Sequence, residues 1–428
     1  MKQTLFISCP IDTLSGYGAR SRDIVKALIK HDKYDIKVIS QRWGSTPFGA
    51  LDRNDPEDQK ILNLIWNQPQ LPFQPDIWIQ ITVPNEFQAV GKYNIGVTAG
   101  IETTLCDVSW IEGCNRMNLI LASSNHAKQV FQSTSFEKKD KNTNQTVEVV
   151  KLIRPVEVLF EGVDLTKYNF VPDDLLDGEL VESLDEIEEE FCYLFVGHWL
   201  QGVLGEDRKN VGYLIKAFSE TFKNRKVRPA LILKTNSATC SIMDREDILK
   251  KIDEVRKTVK GDLPNVYLLH GELEDRDVNQ LYNHPKVKAM VSLTKGEGFG
   301  RPLLEFSLAK KPIIASAWSG HMDFLNPEWN VLVGGELKQV HPSAVVQNMI
   351  LDQSQWFSPN ESETGDKLKD VYENYKKYAE LAKRQAFKSR TEFSFDKMVD
   401  VLDNILTVSI PKQAEFKPLA LPKLKKID

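Results

Sequence analysis

Gly296-Glu297-Gly298-Phe299-Gly300-Arg301-Pro302-Leu303-Leu304-Glu305 is the stretch whose reading decides the fold. The apolar run Ala289 to Leu293 stands before it and reads as a buried strand, and Pro302 suits the first turn of a helix after it. Strand, glycine-rich turn and helix, in that order, form the ligand-facing corner of an open α/β sheet. Glycines at 296, 298 and 300 let backbone approach a ligand closely. The free N–H groups at the helix start, with the helix dipole behind them, favour an anion. Glu297 lies in the loop, whereas Glu305 lies about one turn into the helix. A carboxylate is a natural double acceptor for a diol. The competing reading is a glycine-rich turn with two solvated glutamates.

Working outward, strand-like and helix-period stretches alternate almost throughout, which predicts parallel α/β architecture. Around the glycine-rich turn, the runs Phe191 to Val196, Ala230 to Lys234, Val266 to Leu269 and Ile313 to Ser316 read as further strands. In the first half, Leu5 to Ser8, Ile36 to Ile39, Ile77 to Ile81, Ile95 to Thr98, Leu119 to Ala122 and Val156 to Phe160 read likewise. Ser124 is a good N-cap for a short helix. The polar stretch 137–145 reads as a surface loop, and one helix is expected from Val371 to Ala386 and another from Phe395 to Leu406. With 428 residues, the chain suits two such domains rather than one core. The expected boundaries are 1–170 for an N-terminal Rossmann-like domain and 191–390 for a second, with 391–410 as a C-terminal helix and 411–428 as a surface tail. Residues 171–190 hold ten acidic side chains and no basic one, and read as a solvated linker or loop.

Composition narrows the function classes. A hydrophobic fraction of 41% and a charged fraction of 27% are ordinary for a globular protein. A net charge of −5 does not indicate a general nucleic-acid binder. The five cysteines carry no metal-site or Cys-x-x-Cys spacing and read as buried or half-buried thiols in a reducing compartment. Neither a signal peptide nor a membrane span is expected, so the expected location is cytoplasmic.

The segment Glu297 to Glu305 resembles the E-x₇-E donor motif of family four glycosyltransferases, which have the GT-B fold: two Rossmann-like doubly wound domains facing an interdomain cleft. The resemblance extends to Glu161-Gly162-Val163-Asp164, to Ser15-Gly16-Tyr17-Gly18, to Gly100-Ile101-Glu102-Thr103-Thr104, and to Ser319 through Phe324 followed by Asn330-Val331-Leu332-Val333. It implies retaining transfer of a sugar from a nucleoside-diphosphate sugar, with the last helices crossing back to the first domain and no essential metal or other cofactor.

Such chemistry needs positive charge where the leaving diphosphate develops negative charge. Arg208 and Lys209 suit that role. The family commonly has an Arg directly after the glycine that ends the domain's first strand. Here His198 follows Gly197, and Arg208 comes only after an insertion, as a substitute for that Arg. Without a ligand, two cations before a helix would oppose its dipole. Lys234, at a strand's carboxyl end, is a further phosphate candidate. Gly16 and Gly18 are expected to line the cleft near the diphosphate, and Glu102 and His321 to touch acceptor or sugar. Asp275-Arg276-Asp277 has the form of a metal-binding D-x-D but reads more simply as an N-capped helix start. The donor's base and sugar, and the acceptor, are not legible. Two alternatives stay open: a GT-B nucleotide-sugar epimerase, for which no proton-abstracting pair is visible, and a non-catalytic nucleotide-sugar-binding protein.

Overall fold

The computed structural model describes residues 2–140, 143–237 and 240–411. Most of the expected tail, from residue 412 onward, and part of the expected loop at 137–145 lie outside the described residues.

The first domain is one six-stranded parallel sheet. Its strands are β1 (Gln3–Cys9), β2 (Tyr34–Ser40), β3 (Ile77–Ile81), β4 (Tyr93–Thr98), β5 (Leu119–Ala122) and, after a hairpin of β6 (Ser135–Lys139) and β7 (Thr146–Lys151), β8 (Val156–Val158). They lie in the order β2-β1-β3-β4-β5-β8. Helices α1 (Gly16–His31), α2 (Pro56–Leu62), α3 (Val108–Arg116) and α4 (Asn125–Ser133) accompany it. Ser15 caps α1 by accepting from the Gly18 N–H, and Ser124 caps α4 by accepting from the Ala127 N–H. The expected 137–145 loop is thus shorter than read, because part of it is the paired edge of the antiparallel hairpin.

Residues 171–190 are more than a bare linker. They include the short helix α5 (Glu179–Asp185), which carries its charges outward but buries Val181 and Leu184, and Ile187 just after it is buried too. Leu184 and Ile187 join the second domain's core and seat the segment there.

The second domain repeats the design with β9 (Cys192–Val196), β10 (Ala230–Lys234), β11 (Val266–Leu269), β12 (Val287–Ser292), β13 (Ile313–Ser316) and β14 (Val331–Val333). The order is β11-β10-β9-β12-β13-β14, again all parallel. Helices α6 (Val211–Phe222), α7 (Ile242–Lys257), α8 (Asp275–Asn283) and α9 (Arg301–Ser307) join the strands. The antiparallel hairpin of β15 (Gly335–Gln339) and β16 (Gln355–Pro359) is an addition to the sheet. The helix expected over 371–386 is two helices, α10 (Glu361–Glu373) and α11 (Tyr375–Glu392), broken at Asn374, whose backbone leaves helical geometry. The last helix, α12 (Phe395–Ser409), packs Met398, Leu402 and Leu406 into the first domain's core beside Ile24 and Leu28.

Among the described residues, no helix is long and apolar enough to cross a membrane. All five cysteines are free. Four are buried, but Cys240 is exposed, contrary to the expectation that all would be at least half-buried.

Candidate functional site

Both sheets turn their carboxyl edges toward the cleft, and the glycine-rich loop lies there. It leaves β12 and enters α9 through Gly300, whose φ of 99° is left-handed and suited to glycine. The glycines at 296 and 298 have a reason the sequence does not show. A Cβ on Gly296 would lie 1.9 Å from the carbonyl oxygen of Glu102, and one on Gly298 would lie 2.5 Å from that of Ala99. Their missing side chains therefore let the second domain press its loop against the first domain's β4–α3 connection. The Ser123 hydroxyl completes the contact by donating to the Gly298 carbonyl at 3.0 Å.

Glu297 is buried at this junction and is met by two cations. The Lys209 ammonium lies 2.5 Å from one carboxylate oxygen, and the Arg208 guanidinium lies 3.5 Å from the other. Arg208 also lies 3.6 Å from Glu102 of the first domain and donates to the Gly296 carbonyl. Local chain geometry explains the placement. Asp207 takes over the cap of α6, its carboxylate accepting from the Val211 N–H, while Asn210 adopts a left-handed turn. The Arg208 carbonyl accepts from the Lys295 N–H at 2.8 Å, which ties the turn to the glycine-rich loop. The Lys209 stem runs over Gly197, where a Cβ would stand 3.6 Å from it. The insertion after His198 thus still delivers both cations to the end of β9. Burial pushes the Glu297 carboxyl up, but Lys209 and Arg208 outweigh it and hold the group below the usual glutamate range.

Glu305, on α9, is equally buried but differently held. Its carboxylate accepts from Arg301 Nε at 2.8 Å, and Arg301 reaches across to Asp23 on α1 at 2.7 Å. Burial is the larger influence here and lifts the Glu305 carboxyl to about 7, with Asp275 and Asp23 adding to it and Arg301 opposing. Beside it lies a cavity of about 770 Å³ between α1, the connection at 163–168, α8 and α9. A larger cavity of about 1090 Å³, lined by Lys295 and the β15–β16 hairpin, holds none of Arg208, Lys209, Glu297 or Glu305.

The remaining sequence candidates divide. His321 is fully buried behind the loop, its Nε2 against the Ser316 carbonyl at 2.7 Å, while its buried Nδ1 has no hydrogen-bond partner among the described residues. Ser319, two residues earlier, accepts from the Glu297 N–H and fixes that loop. Phe299 packs against Phe324 in the core, leaving only its backbone for a ligand. Gly18 is pressed against Thr13, where a Cβ would meet the carbonyl at 2.2 Å, whereas a Cβ on Gly16 would meet nothing. The Lys234 ammonium is committed to the Gly271 carbonyl at 2.6 Å. Asp275 does begin α8, but Glu274 occupies the cap position. Its carboxylate accepts from Lys167 and from the Tyr168 hydroxyl, fastening the interdomain connection. Sequence reasoning missed Asp23, a lone aspartate on a helix with no motif around it.

No protein-family model matches the chain, and no curated protein matches it. Solved structures do match along nearly its whole length. A glycosyltransferase from Rickettsia africae is 14% identical, covers 96% of this chain and 100% of its own, and superposes with a TM-score of 0.63. Sucrose-phosphate synthase from Thermosynechococcus elongatus is 11% identical over 95% of this chain and 99% of its own, with a TM-score of 0.62. The Anabaena HepE protein, in complex with UDP-glucose, is 14% identical over 95% of this chain and 100% of its own, with a TM-score of 0.58. These likenesses establish the two-domain GT-B fold.

Proposed function

We propose that the chain is a glycosyltransferase that moves a sugar from a nucleoside-diphosphate sugar to an acceptor, with retention of anomeric configuration. The observation that carries this reading is the buried group of Lys209, Arg208 and Glu297 where the two domains meet. Two cations at the start of α6 oppose its dipole, and an incoming diphosphate relieves that opposition. When the bond between the anomeric carbon and the diphosphate oxygen breaks, its electron pair leaves with the phosphate, and Arg208 and Lys209 stand ready to stabilise the charge. In this reading Glu305 holds the ribose hydroxyls and Glu297 acts at the transferred sugar. No metal is needed, because the two side chains supply the positive charge. The UDP-glucose bound to HepE supports a nucleotide-sugar donor for a chain of this shape.

The test is a thermal-shift screen with UDP, GDP, ADP and their glucose conjugates, followed by turnover with the conjugate that binds. A ligand present at a hundred times its dissociation constant raises stability by about 2.7 kcal/mol, well within detection. Product anomers read by NMR then decide retention. A chain that no sugar nucleotide stabilises is not this enzyme, and an inverted product refutes the retaining mechanism alone. Binding without turnover across an acceptor panel would favour the non-catalytic alternative.

A further inference from the structure

Arg301 is in an unusual position. As the first residue of α9 its cation opposes the helix dipole, yet it is three-quarters buried. Its guanidinium is a fork with two uses here: Nε serves Glu305 in its own domain, and a terminal nitrogen serves Asp23 across the cleft, at 2.8 and 2.7 Å. Two carboxylates from different domains therefore pair with one cation, and a third, the half-buried Glu161 of the first domain, acts on it without a direct ion pair. Other groups also surround Glu305. Asp275 and Tyr282 come from α8, Glu161, Asp164, Lys167 and Tyr168 from the stretch 161–168, Arg22, Lys26 and Lys30 from α1, Glu57 and Lys60 from α2, and Asp396 from α12. The α11 side meets α9 through the uncharged Ser307–Ser389 hydrogen bond.

We propose that Asp23 is a positioning residue for nucleotide binding: through Arg301 it sets the place and the charge of Glu305, so that the first domain controls how firmly the second holds the nucleoside. The inference rests on the reading of Glu305 as the ribose ligand. A ribose diol donates two hydrogen bonds: an ionised carboxylate accepts both with charge assistance, whereas a protonated one keeps its carbonyl oxygen as acceptor, turns its other oxygen into a donor and binds the diol more weakly. Whatever draws Arg301 away from Glu305 favours protonation, and whatever returns it favours the ionised, binding form.

The experiment is calorimetric titration of the full chain with UDP, GDP and ADP between pH 5.5 and 8.5, in wild type, Asp23→Asn and Arg301→Met. The diphosphate's own ionisation is common to all three proteins, so the differences between them carry the result. Wild-type affinity falls several-fold between pH 8 and pH 6, as Glu305 takes up its proton near pH 7. In Asp23→Asn the fall moves to lower pH, because Arg301 no longer pairs with Asp23 and the Asp23 charge no longer raises Glu305. In Arg301→Met it moves to higher pH, because Glu305 has lost its cation. Shifts of opposite sign are not what a general loosening of the fold produces. Where Arg301→Met does not fold, Arg301→Lys replaces it, with a smaller shift in the same direction. If wild type binds a diphosphate and Asp23→Asn follows the wild-type pH curve, the role of Asp23 is refuted and the donor site stands. If no diphosphate binds to wild type, the nucleotide reading falls and takes this inference with it.

Discussion

Glu297 and Glu305 lie eight residues apart on one loop-and-helix segment, both buried and each facing an arginine that also faces a first-domain carboxylate. Glu297 shares Arg208 with Glu102, and Glu305 shares Arg301 with Asp23. Their electrostatics nonetheless diverge. Glu297 has a second cation, Lys209, at 2.5 Å, and its carboxyl is held below the usual range. Glu305 has one cation, already divided, and two further carboxylates in its surroundings, and its carboxyl is raised to about 7. One surplus cation decides whether a buried glutamate is a settled ion or a group poised to titrate. The first arrangement suits a permanent electrostatic element near the leaving diphosphate, the second a contact that is completed by its ligand.

The sharpest way to break this contrast is stability without ligand. Glu297→Gln leaves Lys209 buried without its counter-charge and Arg208 with Glu102 alone, at a cost of about 3–5 kcal/mol near neutral pH. Its wild-type contribution is present above the unfolded glutamate value of 4.5 and is lost as pH falls through the lowered folded value, so the gap between variant and wild type closes in acid. Glu305→Gln does the reverse. A folded value of about 7, above the unfolded 4.5, means its contribution is present below about 4.5 and is lost as pH rises through 7. At pH 8 this variant is therefore more stable than wild type, by on the order of 1–2 kcal/mol once the lost pairing to Arg301 is set against the gain. Denaturant titrations at pH 8, at pH 5 and below pH 4 measure both. Equal destabilisation of the two variants at pH 8 would erase the distinction.

Next in size is turnover. Lys209→Ala removes the cation that distinguishes the Glu297 site and lowers kcat by roughly a hundredfold or more, while diphosphate affinity falls less. Single-turnover kinetics alongside calorimetry separate the two effects. A variant with full activity would move the leaving-group charge elsewhere.

A third, smaller effect tests the ligand side of the comparison. Glu305→Gln weakens free diphosphate and sugar nucleotide about equally, by about tenfold, since it loses a charge-assisted contact to the ribose diol. Glu297→Gln leaves free diphosphate nearly untouched and depresses turnover of the sugar donor. Matching losses of diphosphate affinity in the two variants would sink the division of roles.

Much of this was legible in the sequence because it is local. The two sheets follow from apolar runs at regular intervals, and the order strand, glycine turn, helix places the loop at a carboxyl edge. Arg208 and Lys209 were legible as charges in an unfavourable place. What stayed hidden depends on contacts between distant residues. Asp23 stands 278 positions from Arg301, and nothing in its own neighbourhood distinguishes it. The glycines at 296 and 298 read as openings for a ligand, but both are also pressed on first-domain carbonyls. The β15 strand is exposed at every position, so no alternation announces it. The burial of Val181, Leu184 and Ile187 was masked by the acidic residues between them.

The smallest expected effect concerns Lys234, and it separates position from participation. By position Lys234 belongs to the site: it ends β10 at the carboxyl edge, where open α/β sheets bind ligands. By contact it does not. Its ammonium donates to the Gly271 carbonyl at 2.6 Å, and among the described residues it forms no ion pair. Burial lowers its pKa, with Glu272 opposing, as expected for a lysine used as a strut between β10 and the turn before α8. Lys209, by contrast, is held by the carboxylate of the loop itself. Lys234→Ala should therefore cost about 1 kcal/mol of stability, the worth of one hydrogen bond, and change kcat by less than about threefold. Steady-state kinetics beside a melting curve decide it. A hundredfold loss of kcat with an unchanged melting temperature would place Lys234 on the diphosphate with Arg208 and Lys209, and would mean that the ammonium leaves Gly271 when the donor arrives.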